Sequence, residues 1–311
     1  TTSGSLELDT PNDTMATAMS LTENTTMRGE RNGSYDSIDY YKITAPAGKT
    51  SMYVALSHDN ASASGSDNDI YVYRYIAEGN TPIVQSFSSD DGVDDNRTFG
   101  IIEGSTYYIG VDVNSSFGNY SSGYTRYRYG LLASFGTEVY ELEQNNSTIT
   151  AQSISAGTTY TGAYDGYSAE GTSRHSDYFK VTASSNTMTV SLSHVSALAS
   201  ASDWYVYVYN SSGTQIDDFS ADNGVNNQIE LWLTSGASYY IRVYSPNSYT
   251  TYKYKLKIEF STTSGSLELD TPNGTIATAM TLTDNTTMRG ERNGSLDSND
   301  YYKITAPSGK T

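Results

Sequence analysis

A chain of 311 residues with 18 Lys and Arg against 35 Asp and Glu carries a formal net charge of −17 and contains no cysteine. The acidity sets nucleic acid and anionic membranes aside as partners, and the missing cysteines remove disulfides, thiol nucleophiles and Cys-based metal sites together. No apolar run approaches the roughly twenty residues of a membrane-spanning helix. The chain opens on Thr1 without a charged or apolar leader, so it reads as a mature product or an excised segment. Tyrosine dominates the aromatics, with 29 Tyr against 7 Phe and 2 Trp, which suits half-buried strands. Leu, Glu, Lys and Arg are scarce, so long helices are not expected.

In chain order, Asp9-Thr10-Pro11-Asn12 predicts a turn followed by one helical turn, and Asn32-Gly33 predicts another turn. Residues 51–56 alternate, with Met52, Val54 and Leu56 on one face. After a turn signal at Asp91-Gly92, residues 108–113 direct Ile109, Val111 and Val113 inward. A joint is expected near Ser134 to Glu138. Residues 187–192 repeat the earlier alternation with Met188, Val190 and Leu192. Trp204–Tyr209 separates Trp204, Val206 and Val208 from Tyr205, Tyr207 and Tyr209, and only one of those faces belongs to the core. Ser212-Gly213 predicts a turn, residues 240–244 direct Ile241 and Val243 inward, and residues 253–260 form another alternating strand. The pattern is all-β: tandem antiparallel jelly-roll-type β-sandwiches of about eight strands each, with no long helices.

Residues 1–50 recur as residues 262–311 at a constant offset of 261, with seven of the fifty positions changed and 43 identical. The repeating unit is therefore 261 residues long. Inside it lies a fainter repeat. Asp39-Tyr40-Tyr41-Lys42-Ile43-Thr44 matches Asp177-Tyr178-Phe179-Lys180-Val181-Thr182, and Gly104-Ser105-Thr106-Tyr107-Tyr108-Ile109 matches Gly236-Ala237-Ser238-Tyr239-Tyr240-Ile241. Asp91-Gly92-Val93-Asp94 likewise matches Asn223-Gly224-Val225-Asn226. Residues 1–135 thus form one sandwich, 136–261 a second, and 262–311 the start of the next unit. Both joints are short, which restricts inter-domain freedom.

These ordered motifs resemble the bacterial pre-peptidase C-terminal domain. The resemblance is carried by Glu141-Leu142-Glu143-Gln144-Asn145-Asn146 before Ala151, and by Gly29 and Gly162 ahead of Asp39-Tyr40-Tyr41 and Asp177-Tyr178-Phe179. It continues in residues 104–111 and 236–243, and in the last strands at 127–131 and 252–256. It covers both halves nearly end to end. It implies a small jelly-roll sandwich found in secreted or surface proteins, often appended to peptidases and without catalysis of its own.

Catalytic constellations are missing from the sequence. His58 and His194 occupy equivalent places, as expected of a shared structural task, and His175 beside Ser176 and Asp177 is a sequence neighbourhood rather than a triad. No nucleophile elbow, H-E-x-x-H or phosphate-binding loop is present, and three scattered His without Cys do not suit zinc. No cofactor is expected except calcium. Asp67, Asp69, Asp90, Asp91, Asp94 and Asp95 make oxygen-rich clusters that suit either calcium or tight turns. The second half exchanges several of these carboxylates for amides. Asp39, Asp177 and Asp300 each precede an aromatic pair at a strand start, where a bond to the local backbone is expected. Ten sequons fall among the 17 Asn of the first unit: Asn12, Asn24, Asn32, Asn60, Asn96, Asn114, Asn119, Asn145, Asn146 and Asn210. Asn273, Asn285 and Asn293 preserve the first three in the next unit.

Two functions fit. One is a non-enzymatic extracellular filament, stalk or adhesin shaft of stacked sandwiches, with copies of itself as partners in a head-to-tail array. Residues 262–311 hold about three strands and cannot close a core alone, so continuation of the chain or strands from another subunit would complete them. The other is a pair of carbohydrate- or collagen-binding accessory domains of a secreted hydrolase, with Tyr205, Tyr207 and Tyr209 as an aromatic platform.

Overall fold

The computed structural model describes residues 5–6, 12–31, 38–58, 70–75, 87–89, 95–113, 127–143, 145–163, 176–194, 204–221, 225–245, 253–264, 266–267, 273–290 and 299–306. They are all-β, with 3₁₀ turns at Met15–Thr17 and Ile276–Thr278 in place of any long helix. They fall into two compact units, one up to Glu143 and one from Asn145 onward.

The first unit contains β1 (Ser5–Leu6), β2 (Met19–Ser20), β3 (Met27–Arg31), β4 (Asp39–Thr44), β5 (Ser51–His58), β6 (Ile70–Tyr75), β7 (Phe87–Ser89), β8 (Asp95–Gly100), β9 (Thr106–Val113) and β10 (Tyr127–Gly136). One sheet runs β1-β3-β10-β5-β8 and the other β2-β4-β9-β6-β7. Period-two alternation turns one face of each strand into the sandwich. Tyr41 and Ile43 from β4 and Tyr107, Ile109 and Val111 from β9 join Met52, Val54, Leu56, Phe99, Tyr129 and Leu131 of the other sheet in one buried cluster. Each such large side chain contributes about 1.5–3 kcal/mol by leaving water.

The second unit contains β11 (Gln152–Ser153), β12 (Thr159–Ala163), β13 (Ser176–Thr182), β14 (Thr187–His194), β15 (Trp204–Tyr209), β16 (Gln215–Ala221), β17 (Asn227–Trp232), β18 (Ser238–Tyr244) and β19 (Lys253–Ser261). Its sheets run β11-β13-β18-β15-β16 and β12-β19-β14-β17. Apart from β1, which has no counterpart among the described residues of the second unit, the strand order repeats that of the first, and equivalent residues share register: Asp39 pairs with Val111, and Asp177 with Val243. Pairing is antiparallel except where the two-residue strands β1, β2 and β11 join β3, β4 and β13 in parallel. The antiparallel sandwich read from the sequence holds for the longer strands, and the parallel contacts are confined to these two-residue strands. Strands of two residues have no period to read.

Residues 262–311 supply β20 (Ser266–Leu267), β21 (Met280–Thr281), β22 (Met288–Arg289) and β23 (Tyr302–Lys303). They copy the first unit in detail. The parallel pairs β20–β22 and β21–β23 reproduce β1–β3 and β2–β4. The Thr14–Thr17 capping box returns as Thr275–Thr278, and Asn24 and Asn285 both take φ 59°. Burial is what differs. Ile304 is 61% exposed where Ile43 is 6% exposed, because residues 262–311 include no counterparts of β9 and β10 to cover it.

The chain leaves each sandwich at an equivalent place. In the first unit Thr50 Oγ1 donates to the Glu138 carbonyl at 3.0 Å. In the second, Asn186 brackets Thr263, donating from Nδ2 to its carbonyl at 2.8 Å and accepting its N–H at 2.9 Å. The segment after β10 is also packed down on the first unit. The backbone of Glu141 lies over Gly100, where any Cβ would collide with it, and the Glu141 side chain is buried. The sequence-based joint at Ser134 to Glu138 therefore lies before the end of the first compact unit.

Candidate binding face

A buried polar element sets the frame of each sandwich. Tyr129 donates to Asp39 Oδ2, and Tyr254 donates to Asp177 Oδ2 at 2.7 Å. Asp39 is fully buried and Asp177 nearly so. The sequence predicted a local backbone bond at these Asp residues; in the structure each carboxylate also accepts a hydroxyl from the far sheet. Glycine makes this possible. A Cβ on Gly29 would collide with Tyr129 Cζ, and one on Gly162 with Tyr254 Cζ, so neither position has room for a side chain. In the first unit Tyr41 adds a hydroxyl contact to Tyr129 at 2.7 Å, whereas Phe179 stands at that place in the second.

This frame decides which side of β15 faces out. Trp204, Val206 and Val208 are buried, with Trp204 edge-on to Tyr254 at 4.9 Å between centroids. Tyr205, Tyr207 and Tyr209 are half-buried on the opposite face. Strand register sets three rows across that outer face: Ser176, Tyr244, Tyr205; then Tyr178, Arg242, Tyr207; then Lys180, Tyr240, Tyr209. The Arg242 guanidinium lies 5.9 Å from the Tyr178 ring centroid, 5.4 Å from Tyr207 and 4.9 Å from Tyr244. Lys180 Nζ lies 5.8 Å from Tyr240. All four fall within the roughly 6 Å reach of cation–π attraction. Tyr205 stacks on Tyr207 at 6.3 Å and 16°. Arg242 Nε donates to Ser176 Oγ at 2.9 Å, and no carboxylate among the described residues is paired with the guanidinium.

Burial raises the Tyr178 and Tyr207 hydroxyl pKa values above the ordinary tyrosine value, while the Arg242 charge pulls them back. Both hydroxyls therefore stay protonated at neutral pH and remain donors. The first unit repeats the outer rows with Tyr40, Lys42 and Tyr108, but Gly110 stands in the register position of Arg242. The sequence singled out only the three tyrosines of β15. Arg242, Tyr244, Tyr178 and Lys180 join them through strand pairing between residues far apart in the chain, such as Tyr178 with Arg242, which no local motif announces.

The other sequence candidates are placed as follows. Asn12, Asn145 and Asn273 are buried, and their carbonyls accept the N–H of Tyr40, Tyr178 and Tyr301. Burial of these amides counts against the expectation of glycosylation there. The sequon-like hydroxyls two residues on serve 3₁₀ or turn contacts instead: Thr14 with Thr17, Ser147 with Thr150 and Thr275 with Thr278. Asn24, Asn96, Asn146 and Asn285 are exposed, and Asn210 is half-buried with Oδ1 bound by Ser212 and Thr214. Asn32, Asn60, Asn114, Asn119 and Asn293 lie outside the described residues, as do His175, Asp67, Asp69, Asp90, Asp91 and Asp94. Asp95 begins β8 and accepts the Asn96 N–H at 2.7 Å. His58 and His194 end β5 and β14, in register with Tyr129 and Tyr254. Among the described residues no three His, Asp or Glu gather as a metal site, and no helix is long and apolar enough to cross a membrane.

What the fold and this face define is a chain of tandem β-sandwich domains with an aromatic, cation-bearing outer sheet. No protein-family model matches the sequence, and no curated protein matches it. Solved structures with similarity include tripeptidyl peptidase 2, at 9% identity and a TM-score of 0.28, with 77% of this chain covered and 24% of that one. The tandem CBM22 domains of Paenibacillus barcinonensis Xyn10C align at 9% identity and a TM-score of 0.24, covering 74% and 85%. The tandem CBM51 modules of a family 98 glycoside hydrolase from Streptococcus pneumoniae align at 11% identity and a TM-score of 0.22, covering 73% and 81%. This chain thus spans about a quarter of the length of tripeptidyl peptidase 2.

Proposed function

We propose that this chain is a non-catalytic segment of an extracellular protein, in which repeated β-sandwiches bind carbohydrate through an outer sheet face. The observation that carries this reading is the half-buried row of Tyr205, Tyr207 and Tyr244 around Arg242, on strands whose opposite face is closed core. Flat rings on a rigid sheet offer apolar contact to a sugar face, and their hydroxyls offer hydrogen bonds at low entropy cost. The ordered motifs support kinship with pre-peptidase C-terminal domains. N-glycans on the exposed Asn24, Asn96, Asn146 and Asn285, and calcium at the Asp67 to Asp95 clusters, belong to the same proposal.

The test is affinity electrophoresis in gels that contain polysaccharides, with a Tyr205→Ala/Tyr207→Ala variant beside the wild type. Retention of the wild type and its loss in the variant is the expected result. Equal mobility of both in every gel would remove the reading.

A second reading, the extracellular filament or adhesin shaft, is favoured by one observation: 43 of 50 positions are identical between successive units. A sandwich of this size is about 35–40 Å across, so electron micrographs would show beads repeating at about 70–80 Å per unit.

A further inference from the structure

We infer that the outer face of the second sandwich selects acidic carbohydrate, with Arg242 and Lys180 receiving the carboxylates of a polyuronate chain. This rests on the carbohydrate reading above and adds the charge of the ligand to it.

Arg242 stands at the centre of the face. Its Nε is committed to Ser176, and its plane is surrounded by the rings of Tyr178, Tyr207 and Tyr244. These contacts fix the guanidinium without neutralising it, because no carboxylate among the described residues pairs with it. The nearest edge-strand acid in its row is Asp218, which is opposite Tyr207 in register and accepts from Gln215 at 3.0 Å. A held guanidinium whose terminal amino groups meet no carboxylate among the described residues is a preformed carboxylate fork. Lys180 stands in the adjacent row, one residue pair along the strand from Tyr178, so two cations follow one another across the face. A neutral glycan would use the rings and leave both charges unanswered, whereas a polyuronate presents a repeated carboxylate to each.

The net charge of −17 opposes a polyanion at long range. At physiological salt the screening length is about 8 Å, so charges beyond the face are damped while direct contacts at Arg242 and Lys180 are not. The local contacts therefore decide. The first sandwich tests the logic within the chain: Gly110 replaces Arg242 there, so the preference belongs to the second sandwich alone.

The experiment uses the intact chain and two forms of one polymer, polygalacturonate and its methyl ester, in affinity electrophoresis. The acidic polymer should bind at least about tenfold more tightly than the ester, and Arg242→Gln should erase that tenfold difference. Unchanged Trp204 emission establishes that the variant is folded. Should Arg242→Gln fail to fold, Lys180→Gln and a salt titration of the wild type decide instead, and preference for the acidic polymer must fall with salt. Equal binding of both polymers, lost in Tyr205→Ala/Tyr207→Ala, would overturn the acidic preference and leave the carbohydrate reading intact. Binding confined to neutral glycans would do the same. No binding to any acidic or neutral polysaccharide would overturn both.

Discussion

Replacing Gly162 by Ala is expected to strike the second sandwich where sheet pairing and the buried carboxylate meet. The added Cβ would lie 2.5 Å from Tyr254 Cε1 and closer still to Cζ and the hydroxyl, so the ring must move. It has little freedom to do so, since Trp204 packs against it edge-on and its hydroxyl holds Asp177. Overpacking of this kind costs about 1–3 kcal/mol, and loss of a hydrogen bond to a charged group adds about 1.5–3 kcal/mol. The sum is about 2.5–6 kcal/mol, a large share of the 5–15 kcal/mol typical of a domain. Both tryptophans of the chain, Trp204 and Trp232, lie in the second unit, so tryptophan emission in urea reports that unit alone. At a slope of about 1.5 kcal/mol per molar urea, the midpoint should fall by about 1.7–4 M. Gly29→Ala in the first unit should leave the tryptophan transition in place. In a Tyr254→Phe background the cost of Gly162→Ala should shrink, because one of its two components has already been removed. A Gly162→Ala midpoint within about 0.3 M of wild type would refute the reasoning, since that shift is only about 0.5 kcal/mol.

Three further outcomes follow from the same geometry. Tyr254→Phe alone should destabilise the second unit by about 1.5–3 kcal/mol, measured by the same emission, because buried Asp177 loses a donor. Asn186→Ala removes both bonds to the Thr263 backbone and should speed hydrogen exchange of the Thr263 amide about tenfold, with little change at β18. Tyr178 and Tyr207 favour the neutral phenol in the folded state, so their contribution is fully present below the unfolded tyrosine pKa of about 10 and is lost as pH rises through their raised folded values. Alkaline titration followed by tyrosinate absorbance should therefore show a late-titrating class that disappears on unfolding in urea.

Much of the fold was legible because alternation is a direct imprint of a two-faced strand. Met52, Val54 and Leu56, and their counterparts Met188, Val190 and Leu192, were read as inward and are buried. The repeat made the reading stronger, since two divergent copies obey one strand order. What stayed hidden depends on distant pairing. Nothing near Asp177 announces Tyr254, 77 residues away, and only the co-occurrence of Gly162 and Tyr254 with Gly29 and Tyr129 hints at it. On β15 the aromatic character of both faces left the inward side undecided, until packing of Trp204 on Tyr254 fixed it. The sequon pattern misled at Asn12, Asn145 and Asn273 for a chemical reason. Asn followed two residues later by Thr or Ser is also the signature of a buried turn carbonyl followed by a hydroxyl cap.

The central claim is that the outer sheet face of the second sandwich binds sugar. A glycan array probed with the intact chain and with the Tyr205→Ala/Tyr207→Ala variant tests it most directly. The account predicts that the wild type binds a defined subset of glycans, and that the variant loses this binding by at least about tenfold while keeping its urea midpoint. Binding that survives intact in the variant, or a wild type that binds no glycan on the array, would contradict it.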